Sequence, residues 1–206
     1  MTLERVCDGD VAAEAFAAML DIYHEAFSEG TRMPDAKLVE LSNRGAAIIF
    51  VWKDGGEVLG FAIVAPFVHK GFVHLDYFAI KKDVRGIGRG SELLTALRAE
   101  LATLFPDMQA MTLETVDDAE GSRIRFYQRQ GAKRLRNVPY FFPAYGNHDP
   151  VPMEILLFPL NPSFIAKKPF VQDVISTLYT ELHAKPENDP ALQQLLKRLP
   201  NHVESE

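Results

Sequence analysis

The run from Phe72 to Leu104 constrains the fold of this chain more than any other. Phe72-Val73-His74-Leu75-Asp76-Tyr77-Phe78-Ala79-Ile80 is dense in β-branched and aromatic residues and predicts a strand. A short charged link leads to Arg85-Gly86-Ile87-Gly88-Arg89-Gly90, and the leucines that follow from Ser91 to Leu101 recur at helical spacing. A strand that enters a helix through a glycine-rich turn leaves several backbone N–H groups pointing outward at the positive end of the helix dipole. Such a place suits a phosphate, and Arg85 and Arg89 add positive charge to it. The expectation is an anion site for a nucleotide-like cofactor.

Spacing narrows the cofactor. A dinucleotide fingerprint needs G-x-G-x-x-G with an acidic residue about 20 positions further on. Counted from Gly86 the last glycine falls on Ser91, and counted from Gly88 it falls on Leu93, so the fingerprint fails. No Gly-Lys-Ser or Gly-Lys-Thr occurs, which removes the P-loop. What remains is Arg85-x-x-Gly88-x-Gly90. With its strand and helix, the run "HLDYFAIKKDVRGIGRGSELLTAL" resembles the acyl-CoA-binding segment of the GNAT N-acetyltransferase superfamily.

A second stretch, "RIRFYQRQGAKRL", resembles that family's tyrosine-and-glycine signature. Two positions depart from the pattern: Ala132 stands where a large aromatic often follows the glycine, and Glu120 where an asparagine often touches the pantetheine. The order of elements supports the same fold. A helix is expected over Val11–Phe27, and a second after Met33 with Pro34 in its first turn. Strands over Ala46–Trp52 and Glu57–Phe67 flank the hairpin turn Lys53-Asp54-Gly55-Gly56. After the central strand and helix come a strand over Met108–Val116, a helix from Ala119 to Gln130 closed by Gly131, and strands over Lys133–Val138 and Met153–Leu160. The resemblance implies an α/β fold with a mixed central sheet flanked by helices, over residues 1–160. Residues 161–206 read as a two-helix extension, Phe170–Ala184 and Ala191–Leu199, separated by Pro186 and Pro190. It could close over a site, support a dimer or cap a sheet face.

The resemblance also implies a chemistry and a set of residues. Backbone N–H groups from Arg85 through Gly86, Ile87, Gly88, Arg89, Gly90 and Ser91 would hold the cofactor's pyrophosphate. The main chain of Phe78, Ala79 and Ile80 would pair with its pantetheine amides, near Glu120. The cofactor implied is acetyl-CoA, and the reaction is N-acetylation of a small amine by direct attack in a ternary complex. Such a transfer needs a base for the attacking ammonium and an acid for the leaving thiolate. On the central strand, alternation puts His74 and Asp76 on one face with Phe78 and Ile80. His74, Asp76 and, on the next strand, Glu114 are the candidate bases. Tyr127 matches the family's general acid, a phenol suited to protonating a thiolate. The alternatives are a hydrogen-bonded sheet residue for His74, a solvated carboxylate for Asp76 and an amphipathic core tyrosine beside Ile124 for Tyr127.

The loop Asn137–Pro152 is stiffened by four prolines and carries more aromatic surface than a solvated loop needs. Tyr140, Tyr145 and His148 either line the acceptor pocket or belong to an aromatic cluster covering the sheet edge. His24, His69, His183 and His202 are scattered singly without metal-ligand spacing, so no metal is expected, and they read as surface or hydrogen-bonded residues. The net charge of −6 weighs against nucleic acid or an anionic membrane surface as the main partner. The lone Cys7 and the absence of an apolar leader or spanning run point to a reducing, cytoplasmic setting. A homodimer is one expectation, because the family is often dimeric. Two rival readings are a GNAT-fold module that binds acyl-CoA without catalysis, and a nucleotide-binding α/β protein using the turn for another phosphate.

Overall fold

The computed structural model describes residues 1–6, 14–117 and 120–206. The expected helix start at Val11, Cys7 and the start at Ala119 lie outside them. The chain divides into two compact units, residues 1–66 with 73–107 and residues 67–72 with 108–206.

The first unit opens with β1 (Thr2–Val6), a strand that the sequence did not suggest because its outward side chains are mostly polar or charged. Helices α1 (Glu14–Ala26) and α2 (Asp35–Asn43) follow. Pro34 caps α2 from outside, its carbonyl accepting from Lys37 and Leu38 N–H, rather than sitting in the first turn. Strands β2 (Ile48–Asp54) and β3 (Glu57–Phe67) form the expected antiparallel hairpin, with Gly55 and Gly56 at φ 57° and 92°. Positive φ at both central residues matches the twist of the flanking strands. β4 (Phe72–Ile80) and α3 (Arg89–Leu104) complete the unit, and its strands run in the order β1-β2-β3-β4.

Burial fixes which way β4 faces. Tyr77 meets Tyr23 and Phe27 edge-on, with ring centroids 4.8 and 5.0 Å apart. Its hydroxyl donates to Thr31 O at 3.1 Å and accepts from Met33 N–H at 2.9 Å, which ties the strand to the loop between α1 and α2. On the other face Ile80 joins Trp52, Leu59 and Leu93 of α3 in a buried cluster, with Phe78 packed against it. Enclosing a side chain such as Leu93 contributes about 2 kcal/mol, so this contact anchors the helix that follows the glycine turn.

The second unit contains β5 (Ala110–Thr115), α4 (Ser122–Arg129), β6 (Lys133–Arg136), the short β7 (Phe141–Phe142) and β8 (Val151–Pro152), and β9 (Glu154–Pro159). α5 (Lys168–Thr177) runs straight into a π-turn, Leu178–Leu182; α6 (Pro190–Arg198) and β10 (Glu204–Ser205) end the chain. β9 lies antiparallel between β5 and β6, and β10 adds to the far edge of β6. α4 ends as expected at Gly131, φ 94°, with Ala132 N–H donating back to Tyr127 O at 3.0 Å. Asp189 caps α6 by accepting from Ala191 and Leu192 N–H. The aromatic loop contains a hairpin, β7 with β8, that alternation could not signal in so short a run. Among the described residues no helix is long and apolar enough to cross a membrane.

Candidate active site

In the first unit the glycine turn takes the shape its residues predict. A 3-10 turn, Lys82–Val84, leads from β4, and Arg85 folds its Nε back onto Ile80 O at 2.7 Å. Gly86 and Gly88 stand at φ 80° and 90°, a left-handed backbone that side-chain-bearing residues resist. A Cβ at either would meet nothing within 4 Å, so backbone shape demands glycine here, and open space lies in front of it. No side chain hydrogen-bonds to the first N–H groups of α3, so they face that space, although Glu92 in the first turn offsets part of the helix dipole. Arg89 is held by Glu92 at 3.0 Å and lies 6.0 Å from the Trp52 ring. The shape fits a pyrophosphate. Gly88→Ala is expected to strain the turn by about 1–2 kcal/mol and to weaken acetyl-CoA binding roughly tenfold or more, read by calorimetric titration.

His74, on the same strand, is fully buried, whereas Asp76 is half-buried. Phe78 and Ile80 share the α3-facing side of β4, and Tyr77 the other, which is the alternation read from the sequence.

The second unit gathers a different set. Glu114 of β5 is half-buried, and burial pushes its carboxyl up to about 7, with the Tyr140 hydroxyl as donor offsetting part of the rise. Its Oε2 is enclosed without a hydrogen-bond partner among the described residues. Tyr140 meets Tyr179 edge-on at 6.2 Å, and Tyr179 donates its hydroxyl to Phe141 O at 2.5 Å. Tyr145 packs against Phe142 at 5.7 Å and His183 at 5.6 Å. His148 and Glu120 are exposed. Tyr127 of α4 packs on Phe126 at 5.0 Å, and burial pushes its phenol well above the ordinary tyrosine value, so the hydroxyl stays protonated.

Glu114, Tyr140 and Tyr145 are thus joined by two residues that sequence reasoning missed. Tyr179 drew no attention because its helical neighbours are apolar. His183 read as a surface or satisfied histidine, and the structure corrects this: its ring nitrogens are buried without hydrogen-bond partners among the described residues. Their four-residue spacing on one apolar helix was the available signal, but only the fold shows what that helix covers. Two open concavities among the described residues, 470 Å³ beside Arg134, Asn137 and Glu154 and 380 Å³ beside His24, Arg32 and Asp35, include none of these residues. Among the described residues no three His, Cys, Asp or Glu side chains converge to hold a metal ion.

Comparison with known proteins identifies the class. The sequence model of the acetyltransferase (GNAT) family matches residues 16–132, more than half of the chain. This chain therefore belongs to the GNAT acetyltransferase family, and by family it is an acyltransferase. YjbC of Bacillus subtilis (strain 168), assigned as an acetyltransferase, is 28% identical over 85 residues, which is 41% of this chain and 43% of that protein's length. A GNAT-family structure from Bacteroides thetaiotaomicron superposes with a TM-score of 0.74, at 20% identity, over 90% of this chain and all of its own. A GNAT acetyltransferase from Elizabethkingia anophelis, solved with acetyl-CoA bound, reaches 0.52 at 15% identity over 77% of this chain and 97% of its own. The α/β class and the GNAT fold expected from the order of elements are those the chain adopts.

Proposed function

We propose that this protein acetylates a small-molecule amine with acetyl-CoA, by direct attack while both are bound. The observation that carries the reading is the turn before α3: two left-handed glycines, open space in front of both, and an uncapped helix N-terminus. The turn's N–H groups from Arg85 to Ser91 hold the pyrophosphate, and the main chain of Phe78 to Ile80 pairs with the pantetheine amides. When bound, acetyl-CoA supplies the activated acyl group as a thioester.

Burial brings the proton affinity of Glu114 near neutrality, where a carboxylate accepts a proton from an ammonium most usefully, and this supports Glu114 as the base. Glu114 takes that proton; the amine nitrogen then forms its bond to the acyl carbon as the carbon–sulfur bond breaks. The Tyr127 hydroxyl, kept protonated by burial, donates to the departing sulfur. His74 and Asp76 share a face of β4 with Phe78 and Ile80. Tyr140 and Tyr145 border the acceptor, and His148, being exposed, contributes at most at the rim. In this reading residues 1–160 are the acyltransferase unit and residues 161–206 an extension that packs beside its acceptor-binding residues.

Thermal unfolding with acetyl-CoA, CoA, NAD and ATP in large excess tests the cofactor. A ligand at about 100 times its Kd stabilises by about 2.7 kcal/mol, a rise of roughly 5–11 °C for a chain of this size. A rise with the CoA compounds alone is expected, followed by thiol release when amines are added. A rise with NAD or ATP instead removes the reading. A CoA response without turnover of any amine leaves an acyl-CoA-binding module that does not catalyse.

A further inference from the structure

His183 is half-buried in the second unit, with its ring nitrogens enclosed and no task assigned to them. It closes the π-turn Leu178–Leu182, and its ring is met edge-on by Phe142 at 4.8 Å and tilted by Tyr145 at 5.6 Å. Both ring nitrogens are inaccessible, and neither has a hydrogen-bond partner among the described residues. Two unsatisfied imidazole nitrogens destabilise a protein, and a phenyl ring would fill the same slot without that cost. The backbone also leaves regular helix at this point. His183 N–H donates to Leu178 O at 3.0 Å, Lys185 N–H to Tyr179 O at 2.8 Å, and Ala184 adopts φ 52°. Single π-turns recur at functional sites because they re-aim side chains. Here the turn carries both Tyr179, whose ring meets Tyr140, and His183, four residues later. Tyr140 is the hydroxyl that faces Glu114. The same turn thus carries Tyr179, against Tyr140, and His183, against Phe142 and Tyr145.

We propose that His183 is an acceptor-binding, specificity-determining residue, which hydrogen-bonds an uncharged polar group, a hydroxyl or an amide, on the amine that is acetylated. The proposal rests on the reading of Glu114 as the base. Burial, with Lys185 adding to it, holds the imidazole's pKa down to about 3, so the ring stays neutral near pH 7. A neutral ring offers one donor and one acceptor and no charge, which favours an amino alcohol or an amide-bearing amine over a diamine or an amino acid with a free carboxylate. The adjoining Phe142 and Tyr145 rings suit a flat or apolar body on the same molecule.

The test compares wild type, His183→Phe, His183→Asn and Glu114→Gln as full chains, with thiol release as the readout. The acceptors are pairs of amines matched in length, one bearing a hydroxyl or amide and one a plain alkyl chain. Wild type is expected to prefer the polar member by about tenfold or more in kcat/KM. His183→Phe should remove that preference by raising KM for the polar amine far more than for the alkylamine, with the acetyl-CoA melting shift retained and the melting temperature equal or higher. His183→Asn, which keeps a donor and an acceptor, should retain part of the preference, and His183→Leu, which keeps neither, serves in place of the phenylalanine variant if that chain fails to fold. A preference that survives His183→Phe, or an equal loss on both amines, overturns the proposal. So does wild-type turnover of neither set. Loss of all turnover in Glu114→Gln upholds the base; full turnover there, with the His183 effect present, overturns the base alone.

Discussion

Glu114→Gln is expected to lower kcat/KM for the acceptor by about 100- to 1,000-fold, the usual contribution of a positioned general base, with acetyl-CoA binding unchanged. The reason is local. β5 holds the side chain half-buried and leaves its Oε2 without a hydrogen-bond partner among the described residues, and burial shifts its carboxyl up to about 7. The wild-type rate should therefore rise with pH through about 7, as the carboxyl loses its proton, and that limb should vanish in the variant. Stability carries the opposite sign. A carboxyl whose folded pKa lies above its unfolded value binds more protons when folded, so stability falls as pH rises between its ordinary value of 4.5 and about 7. Glutamine removes this penalty, which is of order 3 kcal/mol at pH 8, and the variant should melt several degrees higher there. Below about pH 4 the two proteins should converge. A variant that keeps full turnover, or that melts lower than wild type at pH 8, contradicts the assignment.

Gly60→Ala is expected to be the most damaging small substitution in the first unit. Gly60 does not sit in the left-handed region; it is constrained by close approach. A Cβ there would lie 2.6 Å from Ile80 Cδ1 and 2.8 Å from Ala79 O. The isoleucine could rotate, but the carbonyl belongs to β4 and cannot. The register also slips beside Gly60: Trp52 pairs with Gly60 but Lys53 with Val58, and Leu59 O accepts from Lys81 N–H at 2.8 Å. Overpacking against backbone should cost about 3 kcal/mol, a fall in melting temperature of roughly 6–12 °C. Because the displaced carbonyl lies in the segment assigned to the pantetheine, acetyl-CoA should also stabilise the variant less than it does wild type. Differential scanning calorimetry with and without acetyl-CoA reads both effects, and an unchanged melting temperature would show that β4 yields.

Much of this was legible in the residues themselves. The run Phe72–Leu104 carried its own strand, turn and helix, since β-branched density, glycines and leucine spacing are local signals, and the positive φ at Gly86 and Gly88 follows from their identity. The hairpin at Gly55-Gly56 was equally local. β1 and β10 were not legible, because an edge strand of mixed polarity is defined by the partner it pairs with, Ile49 to Lys53 for one and Leu135 to Arg136 for the other. Gly60 offered no turn signal, because what fixes it is a carbonyl from another strand.

The same division runs through the candidate site. Sequence alone set the backbone chemistry of the cofactor turn and nominated Glu114, Tyr127, Tyr140 and Tyr145 by type and position. It had no means of ranking Glu114 against His74 and Asp76, since a carboxyl's proton affinity depends on how much water its neighbours exclude. It also placed His183 among incidental histidines, because nothing local shows that a turn near the C-terminus delivers an imidazole between Phe142 and Tyr145. Local backbone preference acts within a few residues and can be read along the chain. Burial, proton affinity and the company a side chain keeps are set by segments distant in sequence, and only the tertiary structure decides them.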